Sequence, residues 1–558
     1  MEAALRAATA PFVHGSRGAG PQRGVGEGFP PAWMFHAELE HGPLTSKTLV
    51  RSEKATPNTR TIVPVRILFL AAEAVPLVKV GGLGDVAGSL PRALRALGHD
   101  VRVAIPDAMP VERDGFSPVL AARFDVPSAG GPVAATVSEL QAGGTLFLLV
   151  GGPPIPRDGR VYGDGIGEDG PKFAFFSRAA LEGARALGWK PDLVHAHDSH
   201  AAPAAAWLAT AGSHDSFFRD TASLLTIHNL PYMGTGAGTA LEAYGFPLGG
   251  DGLPEWARGA MLPVGIAHAD EISTVSPTYA SEILTPEFGC GLEGLLRRRE
   301  DRLSGILNGL DLESWDPAAD RALPRPFDAS DLAARRENKT ALRRELSLEG
   351  AGDGPLLAIV SRLDHQKGFD IAGPGITRWL ESGGQVAALG TGDPAIEAAL
   401  AGLAAAHPSR FAARFRFDAA LARRIYAGSD ALLIPSRYEP CGLTQMIAMR
   451  YGSVPVVRRT GGLADTVTDA RRADGTGFLF EAFDPSALDD ALARAFAAFA
   501  DPSVWEGLMR RGMAKDFSWS RSALEYGALY ERALRRRRAT DRGAEGTPAA
   551  MAGRGRAS

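Results

Sequence analysis

The feature that most constrains this chain is a rhythm of short, almost wholly apolar runs, each followed by a turn and a helical stretch. From residue 65, VRILFLAAEA leads into a glycine-rich KVGGLGD, a helical VAGSLPRALRALG and a second apolar run, VRVAIP. Such runs suit strands buried on both faces. Strand–turn–helix–strand is the building unit of a parallel doubly wound sheet. TLFLLV, DLVHAH, SLLTIH and EISTVS continue the series, separated by helix-like segments such as FAFFSRAALEGARALG. After residue 354 the pattern restarts with PLLAIVSRLD, QVAALGTGDP, FAARFRFD, ALLIPS and VPVVRR. The expected fold class is α/β, with two Rossmann-like doubly wound domains facing a central cleft. Ligands of open α/β sheets sit beyond the carboxyl ends of the strands, which puts a site in that cleft. A length of 558 residues agrees, since single cores stop growing at about 250–300 residues.

The expected domains are residues 63–310 and 354–515, joined by a charged, proline-containing linker at 311–353. Residues 1–62 are rich in Gly, Pro and Ser without a structural period, and are expected to form a flexible extension. Residues 539–558, beyond the run Arg535–Arg538, are expected to be a disordered tail, with the run itself a solvated helix end. MEAALRAATAPFV supplies no signal-peptide core, and Glu2, Glu27, Glu38 and Glu40 argue against a transit peptide. No run of about 18 apolar residues occurs, so no membrane span is expected. Lys and Arg number 60 against 64 Asp and Glu, a net charge of −4, which gives no footing for nucleic acid or an anionic membrane. Cys290 and Cys441 are the only cysteines. They form no disulfide framework or zinc motif and suit a reducing compartment, so a cytoplasmic enzyme is expected.

Four segments carry candidate chemistry. In Lys79–Asp85 (KVGGLGD) the glycines allow a tight turn whose N–H groups approach a phosphate at the start of a helix, with Lys79 adding a mobile charge. Gly82, Gly84 and Ala87 also satisfy G-x-G-x-x-A, with Asp107 placed as a ribose-binding acid. On this segment alone a nicotinamide-dependent dehydrogenase is a rival. In HAHDSH, His195 and His197 project to one face of a strand, but the order and the absence of further ligands disfavour metal. A strand-end histidine, His197, set to hydrogen-bond a ligand hydroxyl fits better.

In the second half, Arg362 and Lys367 of SRLDHQKG follow an apolar strand. Arg as a planar fork and Lys as a point charge can together neutralise a diphosphate. In PSRYEPCGLT, Glu439 can point into the cleft, and the N–H groups of Gly442, Leu443 and Thr444 open a helix that favours an anion. Cys441 reads as a small packed thiol.

Taken together, KVGGLGDV, VHAHDSH, LLTIHNLPYMG, ADEISTVSPTYASEI, GILNGLD, SRLDHQKGFD, LGTGDP, RIYAGSDALLIPSRYEPCGLTQ and VPVVRRTGGLADTV resemble the bacterial glycogen synthase and plant starch synthase family. The likeness runs through most of residues 65–530. The second-half set is foreign to dehydrogenases, and that rival falls away. The resemblance implies a GT-B arrangement and transfer of glucose from ADP-glucose to the non-reducing end of an α-1,4-glucan such as glycogen, with retention. It implies no cofactor and no metal. By this likeness Lys79 binds the donor and Gly82 lies in the loop under its phosphates. Arg362 and Lys367 grip the distal phosphates, Glu439 holds the glucosyl ring, His197 lies beside the sugar and Asn308 near the donor. Phe417 stands where the family often has a Tyr against adenine, which keeps stacking but loses a hydroxyl. A last helix at 516–538 is expected to cross back to the first domain.

Some residues depart from the family pattern. Val80 replaces a Thr, Ser199 a Trp and Pro263 a Lys, and Pro374 is expected to break the helix after SRLDHQKG. A transferase with another nucleotide donor or acceptor, or a non-catalytic glucan-binding relative, are the alternatives.

Overall fold

The computed structural model describes residues 63–108, 115–348, 352 and 354–545. The extension at 1–62 and the tail from 546 onward lie outside the described residues. Two sheets organise the rest. The first contains β1 (Arg66–Leu70), β2 (Asp100–Pro106), β3 (Val119–Val126), β4 (Val133–Ala142), β5 (Thr145–Gly151), β6 (Leu193–His197), β7 (Ala222–Ile227), β8 (Glu271–Thr274) and β9 (Leu303–Gly305). Their order is β3-β4-β5-β2-β1-β6-β7-β8-β9. The β3–β4 and β4–β5 pairs are antiparallel and the others parallel.

The second sheet contains β10 (Leu356–Val360), β11 (Gln385–Leu389), β12 (Phe411–Arg414), β13 (Ala431–Ile434), β14 (Val454–Arg458) and β15 (Phe478–Phe480). Its order is β12-β11-β10-β13-β14-β15, parallel throughout. Each sheet has its own core, around Phe69, Phe147 and Phe175 in the first and Leu432, Trp379 and Tyr451 in the second. Because the strands that carry the candidate residues are parallel within each sheet, their carboxyl ends emerge on one edge of it.

Helices relevant to the site are α1 (Gly82–Ala96), α2 (Pro277–Glu282), α3 (Leu332–Glu345), α4 (Gly373–Glu381), α5 (Thr444–Arg450), α6 (Gly461–Thr466) and α7 (Trp519–Glu545). Three expectations need correction. The stretch 311–353 is not a free linker. Leu323, Phe327, Leu332, Leu342 and Leu346 join the second core, and buried Arg335 of α3 donates to the carbonyls of Tyr451 (2.8 Å) and Ser429. Pro374 does not break a helix: it occupies the first turn of α4, where its missing N–H has no intrahelical partner to lose.

The terminal helix does not stop at 538 but runs to Glu545. Ala523, Tyr526, Leu529, Tyr530 and Ala533 pack into the first core. Fully buried Glu271 pairs with Arg532 (2.7 Å) and Arg536 (2.5 Å). Arg537 donates to the carbonyls of Leu208 (2.7 Å) and Arg219 (2.9 Å). Two of the four arginines at 535–538 are thus engaged by the first half rather than solvated.

Candidate active site

Lys367 and Glu439 reach each other from two strand-end loops. Lys367 follows β10, Glu439 follows β13, and these strands are neighbours. The Lys367 ammonium lies 3.0 Å from Glu439 Oε1 and 2.7 Å from Oε2. The Ser436 hydroxyl donates to the same Oε2 at 2.8 Å. Local backbone sets the geometry. Asp364 accepts the Lys367 N–H at 3.2 Å, and Gly368 turns the chain at φ 72°, where a Cβ would lie 2.1 Å from the Pro435 carbonyl. Arg362, on the same turn, pairs with Asp364 at 2.6 Å and keeps 60% of its side chain exposed.

Gly442 (φ 72°) leads into α5, and the N–H groups of Gly442, Leu443 and Thr444 meet no acceptor among the described residues. Burial pushes the Cys441 thiol up to about 12, which fits a packed thiol and not a nucleophile. Phe417 is 48% exposed on the loop after β12, at the same carboxyl edge as Arg362.

From the first half, β6 ends at His197, which is fully buried. Its Nδ1 lies 2.8 Å from His228 Nε2, and its buried Nε2 has no partner. Burial holds this imidazole well below the usual histidine range, so it is neutral. Its strand neighbour His195 serves the fold: its nitrogens meet Tyr530 Oη at 3.0 Å and Thr226 Oγ1 at 2.7 Å. Asp198, at φ 53°, accepts the N–H groups of His228 (2.7 Å) and Asn229 (3.4 Å), and burial pushes it up to about 7.

The Asn229 amide donates to Gln366 Oε1 at 3.5 Å, and the Gln366 amide donates to the Tyr438 carbonyl at 3.3 Å. A polar chain therefore runs from His197 across the cleft to the residues flanking Lys367 and Glu439. Asn308, beyond β9, approaches the same loop through its N–H to the Cys441 sulfur, and its buried Oδ1 has no partner.

The glycine loop has a partner within the chain. The N–H groups of Val80 and Gly81 go to Glu73, at 3.0 and 3.1 Å from Gly81. Tyr162 adds its hydroxyl to Glu73 at 3.3 Å. Burial raises this carboxyl above its usual range. Lys79 pairs with Asp85 at 2.7 Å, and Gly82 opens α1 with nothing within 4 Å of where a Cβ would be. The fold thus places Lys79 between β1 and α1 and Gly82 at the start of α1, in the first half, and Lys367 and Glu439 on the loops after β10 and β13 of the second. Among the described residues no group of three His, Cys, Asp or Glu is arranged to hold a metal.

Sequence reading missed Glu73, Asp198, His228, Asn229, Gln366 and Ser436 as site residues. The quoted strings HDSH, IHNL and DHQKG contain four of them. Their signal was adjacency to strand ends, which gives no partner for a side chain.

Residues 66–298 match the family described as starch synthase catalytic domain, and residues 354–498 match glycosyl transferases group 1. A glycogen synthase of Anaeromyxobacter dehalogenans is 44% identical over 477 residues, 84% of this chain and 99% of that one. A glycogen synthase of Novosphingobium aromaticivorans is 43% identical over 84% of this chain and 98% of its own. This chain belongs to the glycogen synthase family. The catalytic domain of starch synthase IV from Arabidopsis thaliana, bound to ADP and acarbose, superposes with a TM-score of 0.77 at 34% identity. It covers 85% of this chain and 100% of that one.

As a member of the glycogen synthase family the chain is a GT-B glycosyltransferase, and its departures can be placed. Val80 is exposed at 46%, and it is its N–H that anchors the loop to Glu73. Ser199 is buried in the first turn of the helix after β6, and Pro263 in the first turn of the helix Met261–His268, a position that tolerates proline. No helix among the described residues is long and apolar enough to cross a membrane.

Proposed function

We propose that this chain transfers glucose from ADP-glucose to the non-reducing end of an α-1,4-glucan, with retention, in the cytoplasm and without a metal or cofactor. The observation that carries the reading is the Lys367–Glu439 pair at the carboxyl edge of the second sheet, 2.7 Å apart, in a family whose starch synthase member is described with ADP and acarbose.

Breaking a glycosyl–phosphate bond puts negative charge on departing ADP and positive charge on the sugar ring. Arg362 and Lys367 stabilise the leaving diphosphate more strongly as charge builds on it, which is catalysis by differential binding. Their fixed charge supplies the neutralisation a metal would otherwise provide. The N–H groups of Gly442, Leu443 and Thr444 add donors to the phosphates, Lys79 and Gly82 face the donor from the first half, Asn308 lies near it, and Phe417 stacks on adenine. Glu439 holds the glucosyl ring and His197, neutral by burial, donates or accepts beside it.

A retaining hydrolase would place two carboxylates about 5–5.5 Å apart, one as nucleophile; Glu439 is partnered here by Lys367 and Ser436 instead. The reading is therefore a front-face reaction, in which the donor phosphate helps to deprotonate the incoming hydroxyl. Closure of the halves excludes water that would hydrolyse the donor.

The test is incubation of pure protein with labelled ADP-glucose or UDP-glucose and glycogen, with and without EDTA. Incorporation from ADP-glucose, unaffected by chelation, supports the reading. Transfer only from UDP-glucose, or glucan retention without transfer, overturns it. A glucosyl adduct on Glu439 trapped by mass spectrometry overturns the front-face step.

A further inference from the structure

Two short helices meet across the boundary between the halves, directly behind Glu439. α2 and α6 have six residues each, and a helix of any length leaves its first four N–H groups without an internal acceptor. Each lends the other a carboxylate. Glu282, the last residue of α2, accepts the Thr460 hydroxyl at 2.9 Å and the Gly461 N–H at 3.0 Å. Asp465 of α6 accepts the Thr278 N–H at 2.9 Å and its hydroxyl at 2.7 Å.

This joint continues into the candidate site on both sides. The Ser276 hydroxyl, at the start of α2, donates to the Pro440 carbonyl at 2.6 Å. The Gly462 N–H donates to the Glu439 carbonyl at 3.0 Å. Gly461 has φ 43°, and a Cβ there would lie 2.0 Å from that same carbonyl. On the other side Tyr279 accepts the Leu230 N–H at 3.2 Å, next to Asn229 of the chain that leads to His197. One six-residue helix of the first half thus touches both the loop that carries Glu439 and the loop that carries His228 and Asn229.

We propose that Glu282 and Asp465 are positioning residues, whose reciprocal capping of α2 and α6 fixes the Glu439 loop against the first half in the register that transfer requires. The inference rests on the functional reading above. Neither carboxylate belongs to the strand-end loops that carry Lys367, Glu439 or His197. Their effect is geometric: each accepts two donors and so fixes both the rotation and the separation of the two helices. A displacement of about 1 Å at a reacting group costs about a hundredfold in rate. The remaining Glu282 oxygen is buried without a hydrogen-bond partner. The joint therefore uses one acceptor atom, which the amide of glutamine reproduces.

The experiment compares Glu282→Ala, Glu282→Gln, Asp465→Ala and the double alanine variant in the full chain, each checked for folding by circular dichroism. Glu282→Ala is expected to lose about 30–100-fold in kcat with the KM for glucan within about twofold, and Glu282→Gln to stay within about threefold of the parent. The double variant should lose little more than the worse single one, because the two caps serve one joint. A folded Glu282→Ala protein with parental kcat, or a Glu282→Gln protein as damaged as the alanine variant, overturns the proposal. Calorimetric titration with ADP reads the joint without any transfer. Glu282→Ala should weaken ADP about tenfold and Glu282→Gln should not, whereas equal affinity in all variants overturns the proposal. If the parent chain incorporates glucose from no donor, the functional reading fails, and the ADP titration still decides the joint.

Discussion

Lys367→Met tests the central ion pair by making its two halves unequal. The side chains of Lys367 and Glu439 keep 17% and 8% exposure, so the carboxylate is the better shielded partner. Removing one member of a buried pair costs about 3–5 kcal/mol, because a charge is left uncompensated. Ser436 still donates to Glu439 Oε2 at 2.8 Å, so the carboxylate left behind keeps one charge-assisted donor and the cost falls at the low end of that range. The expected loss for Lys367→Met is therefore about 3 kcal/mol.

Glu439→Gln leaves the lysine, which reaches water more easily, and keeps an oxygen or amide beside Ser436; its cost should fall below that of Lys367→Met. Combining the two changes removes the stranded charge. The double variant should be more stable than Lys367→Met alone, with a coupling of about 1–2 kcal/mol. Urea unfolding of the full chain measures the stabilities, and initial rates with ADP-glucose measure function. All three variants should lose at least about a hundredfold in transfer, the usual cost of removing one fixed transition-state donor. Lys367→Met within about 0.5 kcal/mol of the parent, or a cycle that adds without coupling, would show that the pair is not held in solution.

Tyr530→Phe removes the hydroxyl 3.0 Å from His195 Nδ1 and should cost about 1–3 kcal/mol by stranding a buried nitrogen, read as a lower urea midpoint. Gly368→Ala puts a Cβ 2.1 Å from the Pro435 carbonyl at φ 72°; it should destabilise by more than about 1 kcal/mol and cut transfer with it, because this turn carries Lys367. Acid should weaken the first half through its desolvated, half-buried imidazoles, and the sign is fixed by that desolvation. His228 is pushed down to about 3 and His200 to about 4, while the unfolded chain titrates near 6.5. The stability they contribute is full above about pH 6.5 and is lost towards those lower values, at up to about 1.4 kcal/mol per pH unit per group. His228→Gln should flatten that slope in urea titrations between about pH 4 and pH 6.5.

Most of the buried parallel strands were legible because burial on both faces leaves an unbroken apolar run, as in LLAIV of β10 or LVHAH of β6, whereas the three residues of β15 were too short a run to stand out. β3 and β4 were not, because β3 is an edge strand with Val119, Leu120 and Arg123 outward, and half-exposed strands carry no such run. α3 hid for the opposite reason. LAARRENKTALRRE is half charged, and only a thin stripe through Leu332, Ala334 and Leu342 is buried with Arg335 and Asn338. The terminal helix was seen, but its inward arginines were not, since a run of four like charges says nothing about the carboxylate of Glu271 waiting in β8. Within the site, residue types were readable and partners were not. Lys367 and Glu439 are 72 positions apart, and only the β10–β13 neighbourhood brings them together.

The glycine loop poses the same question of partners. A glycine turn at a helix start offers N–H groups to any anion, and local sequence cannot tell a ligand phosphate from a protein carboxylate. Here Glu73, eight residues earlier than Gly81, has taken them. The buried carboxylate then does the ordering that a phosphate would have to do on arrival, so the loop is held before any donor binds. A loop organised in this way pays its conformational entropy during folding rather than during binding. Glu73→Gln should therefore leave the chain folded but weaken donor binding, because the neutral amide is a poorer acceptor for two backbone donors and offers a donor of its own against them. An unchanged donor KM in that variant would mean that the loop's order comes from elsewhere.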